Sequence, residues 1–419
     1  MKGASTAVYA AFLVVIHTVP VFGATPFQHG WGKVSDMMGM HAAFSSGVPQ
    51  EDIEFVASHY ATITTAAACS TGINATHTIE EVTLDTATRI KNVNPDVTVG
   101  MYWRSDFVME IEECSWFADE WLAHPEWRLK MDNGTVITRS DRFFYIDYSN
   151  PDACAFYTKV LVNVSSFLND SGAPILDYVY IDGDPALSQT SSFLPGIGPA
   201  RSQQLVGDIY NCFGGIQSQL DERGFDQKVV LNGMDDVFSA TIHRATGAAA
   251  SMFDHWTILQ FLHGNNGSFV LEDMDAAIAL ASGNRTNNFT LKIKGWPGPI
   301  IQQRDQYPPN IPTPTTTAEF QAVAEQRFNS ELAFFLLVAE SKDFWVYSWF
   351  WRWYDYVPNN PASTVPPHFF PEAACAIGAP NGPYRRTPGT WIYTREFEHA
   401  SVYVDLTNRT ACKVSFDNC

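Results

Sequence analysis

Two acidic residues, Asp182 and Asp184, follow directly on an apolar, β-branched and aromatic run in the stretch "LDYVYIDGDPAL" (176–187). A third, Asp254, ends "AASMFDHW" (249–256) and is followed at once by His255. Carboxylates at the tips of otherwise apolar segments suit a division of labour in which one group holds a proton for a leaving oxygen. The other then stays charged to attack carbon or to activate water. On this reading Asp182 is the nucleophile and Asp254 the acid/base. The plainer reading is that Asp, Gly and Pro merely terminate strands, and it weighs most on Asp184, which Pro185 follows.

The elements that must position these groups alternate regularly. Strand-like runs at 40–44, 61–67, 97–103, 176–183, 228–233, 249–256, 290–298 and 344–351 are separated by helix-like segments or loops. Helical spacing is clear for Ile53, Val56, Ala57 and Tyr60, for Phe156, Val160, Val164 and Phe167, and for Leu205, Ile209, Phe213, Ile216 and Leu220. Thr78 and Glu81 have the spacing of a capping box. "FFYIDYS" (143–149) reads as an accessory strand inside a long aromatic and acidic insertion.

Eight strands with intervening helices predict a (β/α)8 TIM barrel, α/β in class, over residues 25–357. Residues 358–419 change character and predict a small C-terminal β hairpin or cap built on "TWIYTREFEHASVYVDLTN". An open doubly wound sheet is the alternative, but no Gly-rich phosphate turn follows the first strand.

In such a barrel the reactive groups gather where strands end. Those ends carry Trp103 and Arg104, Asp182 and Asp184, Asn232, Asp254 and His255, Lys294 and Trp296, and Tyr347, Trp349 and Trp351. Carboxylates, hydrogen-bonding groups and aromatic faces together suit a sugar, whose C–H faces pack on π surfaces while its hydroxyls need directed partners. The expected ligand is therefore a carbohydrate, polysaccharide or glycan, cut at an O-glycosidic bond. Two rivals use the same residues differently. One is a non-catalytic carbohydrate-binding barrel; the other is a polysaccharide lyase with His255 or Lys294 as base.

Composition narrows the partners. The net charge of −19 and the absence of a basic run argue against nucleic acid. Lys2, the apolar stretch from Ala7 to Ile16 and the small residues near Ala24 read as a cleaved signal peptide over residues 1–24, with no membrane association after its removal. Eight Asn-x-Ser/Thr sequons, at Asn74, Asn133, Asn163, Asn169, Asn266, Asn284, Asn288 and Asn408, fit a secreted glycoprotein. Seven cysteines in that setting imply disulfides with one thiol left over. No metal-spaced Cys/His cluster occurs, so neither metal nor organic cofactor is expected, and the chain is read as a monomer.

Seven segments in order resemble a family of (β/α)8 proteins classed only as hypothetical glycoside hydrolases, family 15-like. They are "HPEWRLKMDNG" (124–134), "YIDYSNPDACAFY" (145–157), "DYVYIDGD" (177–184), "VVLNG" (229–233), "SMFDHW" (251–256), "KGWPGP" (294–299) and "YTREFEHASVYVDL" (393–406). The resemblance implies that His124, Glu126 and Trp127 overhang the third strand and shape the substrate mouth; Asp147, within the second segment, is also read as substrate-binding. It also implies that Asp182 is the acid ending the fourth strand, and that Asp254 and His255 form the acidic-His pair. Barrel glycosidases with carboxylates on strands four and six are similar in layout and retain anomeric configuration. Asp rather than Glu at 254 shortens the proton donor's reach.

Overall fold

The computed structural model describes residues 36–42, 48–67, 77–105, 107–109, 115–140, 143–182, 196–224, 226–232, 248, 250–253, 290–295, 316–338, 345–351, 370–408 and 411–419. Eight parallel strands close on themselves. They are β1 (Asp36–Ala42), β2 (Thr62–Ala67), β3 (Thr98–Arg104), β7 (Tyr178–Asp182), β8 (Lys228–Asn232), β9 (Ala250–Phe253), β10 (Thr290–Gly295) and β11 (Trp345–Trp351). Each pairs with its neighbour in chain order, and closure comes from β1 on β11, with Met38 opposite Trp349.

Helices α1 (Gln50–His59), α2 (Ile79–Val93), α4 (Pro151–Ser165), α5 (Pro199–Glu222) and α6 (Thr317–Val338) lie between strands in the chain. The class is thus α/β with a parallel sheet. The segments after β8, β9 and β11, where a complete (β/α)8 arrangement needs further helices, lie outside the described residues.

Between β3 and α4 runs the insertion. It carries β4 (Phe107–Met109), α3 (Ala118–Ala123), β5 (Thr138–Ser140) and β6 (Phe143–Tyr145). The last is the accessory strand expected within "FFYIDYS". It joins an antiparallel sheet of order β4-β6-β5 and stays out of the parallel set.

Strand alternation sorts the sheet into two faces. Val99 and Met101, Val179 and Ile181, and Val229 and Leu231 belong to the main hydrophobic cluster. There they meet Ile53, Val56, Val160, Val164, Ile209, Phe213 and Ile216 from the helices. The alternate residues, Gly100, Tyr102 and Arg104 on β3 and Tyr178, Tyr180 and Asp182 on β7, face the enclosed side. Tyr178 is fully buried there, and its hydroxyl lies 2.6 Å from Thr64 Oγ1 on β2. Burial pushes its phenol up, further out of reach of ionisation. Its ring occupies the space in front of Gly100, where a Cβ would come within 2.2 Å of it.

Helix ends follow from their sequences. Thr78 Oγ1 accepts from the Glu81 backbone N–H and Glu81 accepts from that of Thr78, at 3.2 and 2.8 Å, which completes the capping box. Asn150 caps α4, with Pro151 at its first position. Phe167 is a correction: it lies beyond the end of α4 and is 43% exposed, so it does not continue the buried stripe.

Beyond the parallel set, β12 (Arg385–Arg386), β13 (Ile392–Glu396), β14 (Ala400–Asp405) and β15 (Lys413–Phe416) form a four-stranded antiparallel sheet. The expected hairpin is its β13–β14 core. Arg395, 3% exposed, donates to the carbonyls of Leu336 and Leu337, each at 3.1 Å. These carbonyls end α6, where a cation meets the negative end of the helix dipole. Cys154–Cys212 links α4 to α5, Cys375–Cys419 ties down the C-terminus, and Cys412 is buried, its thiol donating to the Asp405 carbonyl at 3.4 Å. Two disulfides fit an extracellular protein. Cys69 and Cys114 lie outside the described residues, as does the expected signal peptide. Among the described residues, no helix is long and apolar enough to cross a membrane.

Glu80, 1% exposed at the start of α2, anchors the insertion by accepting from the Ser115 hydroxyl and, at 3.2 Å, from the Trp116 backbone N–H. Burial raises its pKa above the ordinary 4.5, against the pull of these hydrogen bonds. The folded state then binds more protons than the unfolded one between pH 4.5 and the raised value, so stability declines as pH climbs through that window. Glu80→Gln should remove this decline. Thermal unfolding of both proteins across the window checks it, and parallel Tm profiles would contradict it.

Candidate functional site

Asp182 is the last residue of β7 and stands opposite Arg104 in the pairing with β3. Alternation puts its side chain on the enclosed face, and strand direction puts it at the C-terminal rim. The Tyr102 hydroxyl donates to Asp182 Oδ2, and the Asn232 side-chain amide donates to Oδ1. Arg104 Nη1 lies 3.7 Å from Oδ2 and 3.5 Å from the Tyr102 hydroxyl. Donors to both oxygens, with a guanidinium beside them, suit a carboxylate that works in its charged form. Its side chain remains 16% exposed, so a ligand can reach it.

The backbone beneath is also held. Ser105 donates to the Asp182 carbonyl through its N–H at 2.8 Å and its hydroxyl at 2.9 Å. Tyr148 donates to the Ser105 carbonyl at 2.7 Å and Tyr157 to that of Arg104 at 3.1 Å. Helix α4 and the segment before it thereby set where the ends of β3 and β7 sit. The Tyr102 and Tyr180 rings, 5.8 Å apart, form part of the floor.

Of the residues expected at this site, Asp182, Arg104 and Asn232 come together. Trp103 is a correction: it lies on the opposite face of β3 from Tyr102 and Arg104 and packs against the hydrophobic cluster under the helices. Tyr102 takes its place. The signal was available in the alternation of "VTVGMYW", since Tyr102 shares a face with Arg104.

Trp127 is a second correction. It is 5% exposed, meets Trp121 edge-on at 5.4 Å and lies 5.1 Å from Phe156, so it is core rather than an open platform. The His124 ring stacks on it at 4.0 Å. His124 Nδ1 pairs with Glu126 at 2.6 Å and Nε2 lies 3.5 Å from Glu120. The Glu126 hydrogen bond raises the His124 pKa, and the same bond lowers that of Glu126. These two surface groups satisfy each other, and no described contact joins them to Asp182.

Asp147 accepts from the backbone and hydroxyl of Ser149 and lies 4.0 Å from Arg201. Arg201 also bonds Asp132 at 3.2 Å and the Lys130 carbonyl at 2.8 Å, tying the start of α5 to the insertion. Asp208 on α5 has a raised pKa, from burial first and then from the charge of Asp147. Here too the role displayed is positional.

Asp184, Asp254, His255 and Trp296 lie outside the described residues. Phe253, just before Asp254, ends β9 opposite Ile293. Lys294 stands opposite Ser348, Tyr347 opposite Ile293 and Trp349 opposite Gly295 in the β10–β11 register. Among the described residues no group of three His, Cys, Asp or Glu side chains is placed to hold a metal ion.

No known family model matches this sequence, and no curated protein matches it. Among solved structures it is similar to an α-amylase from Geobacillus thermoleovorans complexed with acarbose. That match has 7% identity, a TM-score of 0.47, and covers 90% of this chain and 87% of the other. An Anoxybacillus α-amylase matches at 10% identity and TM-score 0.49, covering 90% and 87%. The cyclic α-maltosyl-(1→6)-maltose hydrolase of Arthrobacter globiformis matches at 10% and 0.47, covering 88% and 90%. Likenesses this distant do not bear on the reaction.

Proposed function

We propose that this chain is a secreted glycoside hydrolase that cleaves O-glycosidic bonds of a polysaccharide or glycan by a retaining, two-carboxylate mechanism. In this reading residues 1–24 are a removed leader, residues 25–357 a complete (β/α)8 barrel, and residues 358–419 a β element packed on it. The observation that carries the reading is the setting of Asp182. It is a rim carboxylate at the end of a parallel strand, oriented through both oxygens by side chains from β3 and β8 and still open to solvent.

Asp182 then attacks the anomeric carbon while Asp254 donates a proton to the departing oxygen. Water, deprotonated by Asp254, afterwards releases the sugar from Asp182. Arg104, Asn232, Asp184, His255, Lys294, Trp296, Tyr347 and Trp349 line the mouth in this reading. His124, Glu126 and Asp147 lie on its outer rim, and Trp103 and Trp127 are left out. The open doubly wound alternative for the sheet finds no support in the pairing of β1 with β11.

Purified protein tested on algal, fungal and plant polysaccharides should release reducing ends from at least one, and a blank across a broad panel would overturn the proposal. With an active substrate in hand, Tyr102→Phe isolates one hydrogen bond to Asp182. Loss of a single preorganised donor should lower kcat by roughly 100-fold with little change in KM. An unchanged kcat would remove Tyr102 from the machinery.

A further inference from the structure

We propose that Asn169 carries an N-linked glycan and that the first sugar of that glycan rests on Phe167. The segment Phe167-Leu168-Asn169-Asp170-Ser171 opens a tight turn at the end of α4. Leu168 bridges Pro174 in antiparallel fashion, the Asn169 N–H donates to Ala173 O at 2.8 Å, and the Ile175 N–H donates to Phe167 O at 3.0 Å. Gly172 closes the turn with φ at 80°, a conformation that favours glycine.

Inside this turn the Asn169 side-chain oxygen accepts from the Ser171 N–H at 3.0 Å, the Ser171 hydroxyl at 2.6 Å and the Ala173 N–H at 3.0 Å. Only the oxygen of the amide can accept these bonds, so Nδ2, the atom that takes a glycan, points away from the turn. Both Asn169 and Ser171 are exposed.

Next to it lies apolar surface. Phe167 is 43% exposed, Leu168 46% and Trp116 40%, and the Phe167 and Trp116 rings are 5.2 Å apart. Phe167 and Asn169 flank the bridged Leu168, so their side chains leave the strand on one face. A pyranose attached at Nδ2 can therefore lay its C–H face on the Phe167 ring, the contact that aromatic surfaces offer sugars. Asn163 differs: it lies within α4, its sequon ends in Ser165, which is fully buried, and its side-chain oxygen takes a 3.3 Å hydrogen bond from Arg223 at the end of α5.

The co-reactant is a lipid pyrophosphate-linked oligosaccharide. Asn169 Nδ2 forms the bond to sugar C1, the C1–O bond to pyrophosphate breaks, the lipid pyrophosphate leaves with the bonding electrons, and one amide proton is lost to base. The inference rests on the secretory part of the reading above. Supplying another protein's leader in a secreting eukaryotic cell makes the two fail separately.

Glycopeptide mass spectrometry of that secreted full-length chain, after enzymatic release in heavy-oxygen water, should find Asn169 occupied and Asn163 not. An unmodified Asn169 overturns the site. Thermal unfolding of Phe167→Ala, Asn169→Gln and the double variant then tests the packing. Phe167→Ala should lower Tm by about 2 °C in the glycosylated background and by less than half as much with Asn169→Gln. Equal losses in both backgrounds would overturn the contact.

Discussion

Asp182→Asn should reduce turnover of whichever polysaccharide the protein cleaves by about ten-thousand-fold while leaving substrate affinity within a few-fold of the parent. The change keeps size and shape but removes the nucleophilic charge, so the cost falls on the transition state, at about 5 kcal/mol. Tyr102 can still donate to the remaining carbonyl oxygen of an Asn. The Asn232 amide cannot donate to an NH2 group, so one of the two bonds that orient position 182 is lost or rearranged. Since Asp182 lies at an open rim and both strands beneath it keep their own backbone bonds, the variant should fold. Reducing-end assays beside circular-dichroism unfolding curves separate the two effects. Activity within tenfold of the parent would rule Asp182 out as the nucleophile.

The second large effect is structural. Gly100→Ala should destabilise the protein by about 3 kcal/mol, at the upper end of what overpacking usually costs. The new Cβ would lie 2.2, 2.3 and 2.4 Å from three carbons of the Tyr178 ring. That ring is fully buried and held through its hydroxyl to Thr64, so it has no free end to swing aside. The glycine is needed for space, since the aromatic ring fills the room a side chain would take. Urea unfolding measures the loss, and a cost below about 0.5 kcal/mol would show that the ring yields cheaply. Combining Gly100→Ala with Tyr178→Leu should recover part of it, because the two sites share one volume.

Much of the scaffold was legible because its signals are local. The capping box at Thr78 and Glu81, the helical stripes of α1 and α5 and the apolar runs of β7 and β8 each need only neighbouring residues to be recognised. What failed were inferences that need a face or a partner. Trp103 looked like a mouth residue because it sits near a strand end, yet the same alternation that points Arg104 inward points Trp103 under the helices. Trp127 is conspicuous in "HPEW", but nothing in that short run reveals that Trp121 and Phe156 enclose it. Phe167 keeps helical spacing one turn too far, past the point where Ser166 ends α4.

The site shows the same limit. Asp182 was legible as an acid closing an apolar strand, whereas its orientation by Tyr102 and Asn232 depends on residues 80 and 50 positions away in the chain. Arg395 is a further example, since a buried cation reads as a surface residue until the last carbonyls of α6 are seen to receive it.

The most direct test of the proposed chemistry is the separation of the Asp182 and Asp254 carboxyl groups in an experimental structure with an oligosaccharide bound. About 5–5.5 Å across the scissile bond is expected for a retaining pair. A gap of roughly 6.5–9.5 Å would contradict retention. An Asp254 carboxylate turned away from the sugar would contradict the two-carboxylate mechanism itself.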